Sequence, residues 1–301
     1  MAGRYNRRPK QEAPEVRWQD LFDDALTGEA KMSPHYGQGY DYSYGNRLYL
    51  MSQGAHEPVA NMKWWNDHGR SIIKGSSAFY VVRPILRKSK TEVDANGDPV
   101  VYPSFTPSKS AFTYSQTEGE PLPDSPPNEW RRNVMLGNLA INLVDFEDHS
   151  LNMMGYSYGR TAAINPMAPY KDKTATHEAA HIEAGHTSAE FDYNQHRGLA
   201  EVEAESTAFI VGHEVGYQMD VEGSRAYIQS YRNMEQRQNP DKQAIPDTSV
   251  RKVFRLVDLL WRAGLVDPET GEPLHAPKTE AAPEPTGREV VTAEAANERS
   301  L

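Results

Sequence analysis

The sequence predicts an α+β protein in two parts: an N-terminal α+β domain with a small antiparallel sheet, then a mainly helical domain with a few strands. Three observations carry this expectation. Apolar residues recur at helical spacing in both parts, most densely in the second. β-Branched and aromatic residues concentrate in SAFYVVRPIL and in the stretch that follows it. A proline-rich segment, EGEPLPDSPPNEW, separates the two parts.

Taken in order, residues 1–15 are polar and basic and read as a disordered arm. VRWQDLFDDALT spaces Trp18, Leu21, Phe22 and Leu26 as a helix, with Gly28 as its stop. NRLYLMSQ and NMKWWNDHGR read as two further short helices. SAFYVVRPIL is the clearest strand and is closed by Pro84; VVYPSF and SAFTYS read as neighbouring strands, with Asn96 and Gly97 at a hairpin turn. These elements define a first domain over 16–120, followed by a linker over 121–130. In the second domain, 131–265, RRNVMLGNLAINLVDF reads as a helix running into a strand and NMMGYSYGRTAAINP as a strand or hairpin. Helices are expected near 172–185 and 199–216, with two more in SRAYIQSYRNME and TSVRKVFRLVDLLWRAG. The acidic remainder, 266–301, is rich in Pro, Glu and Ala and reads as a disordered tail.

Composition narrows the chemistry. None of the 301 residues is a cysteine, which excludes disulfides, thiolate metal sites and a cysteine nucleophile, so a metal would be held by imidazole and carboxylate. No leader-like apolar segment and no run of 18 apolar residues is present, so the chain reads as cytoplasmic with no membrane partner. The net charge of −10 is uneven: residues 1–90 hold 14 Lys and Arg against 9 Asp and Glu, the rest 18 against 33.

TATHEAAHIEAGHT carries the strongest chemical signal. On a helix, His177 and His181 project side by side and can chelate one ion, while Glu178 stands beside them to take a proton from an activated water. A third ligand is offered by GLAEVEAESTAFIVGHEVG, where Glu201 and Glu205 share one face lined by Ala204, Ala208 and Gly212. Glu201 is assigned as ligand and Glu205 as the acceptor that orients an imidazole; the reverse assignment and Glu203 stay open, with His186, His196 and His213 as lesser alternatives. Zn²⁺ is the cofactor expected of such a set.

In the first part, YSYGNRLYLMSQ, WWNDHGRSIIKG, SAFYVVRPIL and AFTYSQTEG occur in the order seen in the N-terminal single-stranded-DNA-binding domain of ArdC-like antirestriction proteins, which this chain resembles. THEAAHIEAGHT followed by AEVEAESTAFIVGHEVG resembles the zincin-like metallopeptidase domain of the same family. The resemblance implies single-stranded DNA as a partner, a protein or peptide substrate, and a phage- or plasmid-borne role in protecting incoming DNA. The residues suited to a DNA strand are the cations Arg47, Lys63, Arg70, Lys74 and Arg83, with Arg87, Lys88 and Lys90, and the aromatics Tyr40, Tyr42, Tyr44 and Trp65. The alternative is a DNA-binding protein whose zinc site is structural and non-catalytic.

Overall fold

The computed structural model describes residues 12–27, 41–93, 97–123, 129–147, 153–275 and 291–292. The architecture is α+β, as predicted, and the described residues cluster in two compact units. The first contains Asn46–Pro123; the second contains the chain from Asp124 on, together with α1 (Trp18–Thr27) and Ser43–Gly45. The sequence places α1 in the first domain, but its buried residues Leu21, Phe22, Ala25 and Leu26 belong to the second unit.

α2 (Tyr44–Ser52) enters the first unit at Asn46 and is followed there by β1 (Val59–Asn61), α3 (Met62–Asp67), β2 (Arg70–Ile72), β3 (Phe79–Val93), β4 (Pro99–Thr113) and β5 (Thr117–Gly119). The sheet order is β1-β4-β3, all antiparallel, and β2 pairs separately with β5. Two expectations are corrected here. VVYPSF and SAFTYS are not neighbouring strands but parts of the single strand β4. Nor does Pro84 close β3, which runs on to Val93 with Pro84 opposite Phe105. Both corrections have one cause. Proline removes only a backbone donor, and β3 is an edge strand; β4 has β1 as its second neighbour only at Ala111–Thr113, beyond Pro107. Near its start the outer edge of β3 is instead met by two amide side chains, Asn46 of α2 and Gln53 just beyond that helix. Asn46 donates to Val82 O at 3.0 Å and accepts from Val82 N at 2.7 Å, and Gln53 makes the same pair of bonds with Tyr80 at 2.9 Å each. Gly97 adopts φ +86, suited to a tight reversal; Asn96, its predicted partner in the turn, lies outside the described residues.

The second unit continues with β6 (Glu129–Trp130), α4 (Arg132–Asn138), β7 (Asn142–Val144), β8 (Gly155–Tyr158), β9 (Thr161–Ile164), α5 (Lys171–Ala184), α6 (Tyr193–Val215), α7 (Val221–Gln238), α8 (Asp247–Gly264), β10 (Leu265–Val266) and β11 (Val291–Thr292). One sheet has the order β11-β8-β9-β7, with β7 and β9 parallel; β6 and β10 form a second, antiparallel pair. α8 buries Val250, Val253, Phe254, Val257 and Leu260, an apolar stripe at helical spacing. α5 differs: every residue from Thr174 to Ile182 is buried, so the helix has no solvent face to produce a stripe.

The predicted disordered arm lies mostly outside the described residues, as do 276–290 and 293–301 of the predicted disordered tail. Within that tail, however, Val266 pairs with Glu129, Asp267 closes a turn, and Val291 and Thr292 pair with Ser157 and Tyr156. Among the described residues no helix is long and apolar enough to cross a membrane.

Candidate functional site

The predicted ligands converge. α5 presents His177 and His181 one turn apart, and α6 brings Glu201 against them. The two Nε2 atoms are 3.1 Å apart; Glu201 Oε2 is 3.3 Å from His177 Nε2 and Oε1 is 3.5 Å from His181 Nε2. Ligand atoms about 2.0–2.1 Å from a tetrahedral zinc ion stand about 3.3–3.4 Å from one another, so the trio has the spacing such an ion requires. Among the described residues this is the one His/Asp/Glu trio close enough to share a metal ion.

The surroundings orient each ligand. Glu205 Oε2 lies 3.1 Å from His177 Nδ1, and Lys173 Nζ, one turn before His177, lies 2.8 Å from Glu205 Oε1. A carboxylate can only accept, so Nδ1 of His177 donates and Nε2 is the atom turned to the site. Tyr193 donates its hydroxyl to Glu201 Oε1. Glu203, the open alternative for a ligand, faces elsewhere: two residues on along a helix is about 200° around the axis, and its Oε2 meets His186 Nε2 at 3.0 Å and Lys252 Nζ at 2.7 Å. His186 itself is not within the trio; its Nδ1 faces His181 Nδ1 at 3.1 Å. His196 is exposed, and His213 lies against Phe209 two turns beyond Glu205.

Glu178 is fully buried. Its Oε2 accepts from Ser157 Oγ at 2.7 Å, while Oε1 has no hydrogen-bond partner among the described residues. β8 approaches closely enough for this because it begins with glycine: a Cβ on Gly155 would stand 2.8 Å from Thr174 Cγ2 and 3.1 Å from Glu178 Oε1. Burial pushes the Glu178 carboxyl up to about 7. His177 is moved the other way from what burial alone would do: the carboxylates of Glu201 and Glu205 overcome desolvation and hold it up to about 10. His181 is pushed down to about 4, chiefly by burial. For Glu201 burial works upward, but the two imidazoles prevail and keep it well below the usual carboxylate range; Glu205, likewise opposed by burial, is held to about 2 by His177 and Lys173.

Sequence reasoning missed Ser157, Lys173, Tyr193 and Lys252. Lys173 and Tyr193 had a signal, since they lie one and two helical turns from His177 and Glu201. Ser157 and Lys252 reach the site only through tertiary packing.

The first unit requires more correction. Of the twelve residues read as suited to a DNA strand, five are buried in this structure: Arg47, Trp65, Arg70, Tyr42 and Tyr44. Arg47 donates from Nε to Tyr42 O at 2.8 Å and pairs with Asp41 at 3.0 Å. Trp65 donates Nε1 to Phe112 O at 2.9 Å. Tyr44, in the second unit, donates to Glu214 at 3.3 Å and packs on Phe254. Arg70 ties β2 to β5, donating to Thr117 Oγ1 at 2.8 Å, Thr117 O at 3.0 Å, Gly119 O at 3.1 Å and Glu120 O, with its guanidinium 4.0 Å from the Tyr114 ring centroid. Arg70→Met is therefore expected to destabilise the protein by on the order of 3 kcal/mol, read by denaturant unfolding, because it leaves buried carbonyls without donors. Lys63, Lys74 and Arg83 are exposed, as are Arg87, Lys88 and Lys90 on β3, Lys109 on β4 and the ring of Phe105. Tyr40 lies outside the described residues.

No family model matches the chain, and no curated protein matches it. Among solved structures it is similar to the metal-free crystal structure of the antirestriction protein ArdC from the R388 plasmid, at 17% identity and a TM-score of 0.48, covering 82% of this chain and 97% of that one. The Mn(II)-bound structure of that protein gives 16% identity and a TM-score of 0.43 over the same shares.

Proposed function

We propose that the chain is a single-stranded-DNA-binding protein carrying a zinc-dependent peptidase site, with His177, His181 and Glu201 as ligands and Glu178 as general base. One observation carries the reading: two oriented imidazole nitrogens and a carboxylate meet at metal-ligand spacing beside a buried glutamate with a free oxygen. When bound, the metal supplies Lewis-acid polarisation and acidifies water. Ser157 holds one oxygen of Glu178, leaving Oε1 to take a proton, and a carboxyl near 7 is matched to that task at neutral pH. Glu205 and Tyr193 hold His177 and Glu201 in place. The antirestriction setting, in the cytoplasm of a host cell receiving phage or plasmid DNA, rests on the motif resemblance.

The strand of DNA would follow the exposed cations of β3, with Phe105 as a stacking ring; it is 57% exposed. Replacing Arg83, Arg87, Lys88 and Lys90 together by glutamine is expected to weaken single-strand binding at least tenfold and to flatten its dependence on salt. A fluorescence-anisotropy titration at several salt concentrations checks this, and an unchanged slope would remove β3 from the interface.

A second reading is favoured by burial. His177, His181, Glu201 and Glu178 are none of them more than 6% exposed, whereas a peptidase site needs a cleft that admits a peptide. Incubation of the metal-loaded protein with a peptide library separates the two: cleavage that disappears on chelation supports the peptidase, and no cleavage with metal bound supports the structural site.

A further inference from the structure

We infer that Lys252, Glu203 and His186 form a hydrogen-bond relay that fixes the tautomer of His181, so that its Nε2 lone pair faces Glu201 and His177. The inference rests on the metal-site reading for its purpose, but its content is a proton position that can be read without any metal.

The direction of each bond follows from what its atoms can do. Lys252 Nζ has only protons to give, and it lies 2.7 Å from Glu203 Oε2. The same oxygen lies 3.0 Å from His186 Nε2; a carboxylate accepts, so Nε2 of His186 carries the hydrogen. A neutral imidazole then has a lone pair on Nδ1, and that atom lies 3.1 Å from Nδ1 of His181. Two lone pairs at this distance would repel, so His181 supplies the proton from Nδ1; Glu201 Oε1 faces Nε2 only at 3.5 Å, beyond the 3.1 Å of the Nδ1 contact, so the lone pair stays on Nε2. On His177 the carboxylate of Glu205 does the same work directly. Among the described residues no carboxylate bonds His181 Nδ1, and His186 is interposed to carry the polarity of Glu203 across.

The backbone supports the arrangement. Gly185 caps α5 in the left-handed region at φ +82, and His186 N bonds to His181 O at 3.0 Å, folding the His186 ring back against the helix it has just left. His186 and Glu203 are 2% and 1% exposed, so water does not compete for the bonds from Glu203 to His186 and on to His181; Lys252, at the head of the relay, is partly exposed.

Long-range proton–nitrogen correlation spectra of the ¹⁵N-labelled, metal-free full chain report which nitrogen of His181 is protonated. The expected result is Nδ1–H. In Glu203→Gln the side-chain amide can donate to His186 Nε2, reversing the relay. His181 should then carry its proton on Nε2, and zinc affinity, measured by competition with a chromophoric chelator, should fall about 10–100-fold. Lys252→Arg keeps the donor and should retain both properties. An Nε2–H signal from His181 in the parent protein overturns the inference, with no variant needed. So does a Glu203→Gln protein with unchanged tautomer and unchanged zinc affinity. A parent protein that shows Nδ1–H yet binds no zinc supports the relay and removes the metal-site reading alone.

Discussion

If the proposed peptidase reading holds, Glu178→Gln is expected to lower peptide hydrolysis by the metal-loaded protein about 10²–10⁴-fold, the usual contribution of a positioned general base. Metal content and DNA affinity stay at the parent level, because Glu178 is not one of the converging ligands and lies in the second unit. The readouts are peptide cleavage, bound metal by elemental analysis and anisotropy with single-stranded DNA; cleavage at the parent rate would end the assignment of Glu178 as base. The same substitution has a signature in stability. A carboxyl held up to about 7 against an ordinary value of 4.5 is penalised when it ionises in the fold, so its charge costs stability as pH rises from about 4.5 to 7 and by a constant amount above that. Glutamine never ionises. Between pH 4 and pH 8 the stability of metal-free Glu178→Gln relative to the parent should therefore move in favour of the variant by on the order of 3 kcal/mol. Using the difference between two pH values cancels any fixed effect of the amide itself.

Zinc affinity is expected to rise about tenfold per pH unit between pH 6 and pH 8, for an equally specific reason. In the metal-free protein His177 is held up to about 10 by Glu201 and Glu205, so its Nε2 carries a proton throughout that range. Binding must displace it, and each unit of pH lowers the cost of doing so. Glu178 ionises in the same window and adds favourable charge near the cation. The linkage sign agrees. The raised value for His177 stabilises the metal-free fold fully below about 6.5, and this contribution is lost as pH rises through about 10, so the increase in Tm caused by zinc grows towards alkaline pH. A chelator-competition series at fixed ionic strength checks the slope. Affinity that varies less than about threefold over those two units would show that His177 is neutral before the metal arrives.

The two sites differ in how far the sequence describes them. His177 and His181 stand four apart on a helix, and 3.6 residues per turn places them side by side whatever surrounds that helix. Glu201 and Glu205 share a face for the same reason. The assignment of Glu201 over Glu203 follows from what α6 meets: the face bearing Glu201 turns to α5, and Glu203 turns to His186 and Lys252. The DNA residues show the opposite case. Arg70 and Trp65 have the chemistry of a nucleic-acid contact, but their partners, Thr117, Gly119, Glu120 and Phe112, lie 47 to 50 residues further along. Charge and aromaticity specify what a side chain can bind and leave open whether protein or solvent stands opposite.

The sequence by itself determined the α+β class, the helices that carry His177, His181 and Glu201 and the pairing of like faces along each helix, because these depend on periodicity about a local axis. Only the tertiary structure decided that β3 continues through Pro84, since the absence of a neighbouring strand is a property of sheet order. It alone buried Arg70, brought Ser157 to Glu178, and placed Lys252 at the head of a chain ending on His181. A local pattern points a side chain in a direction, and only the packed fold puts a partner there.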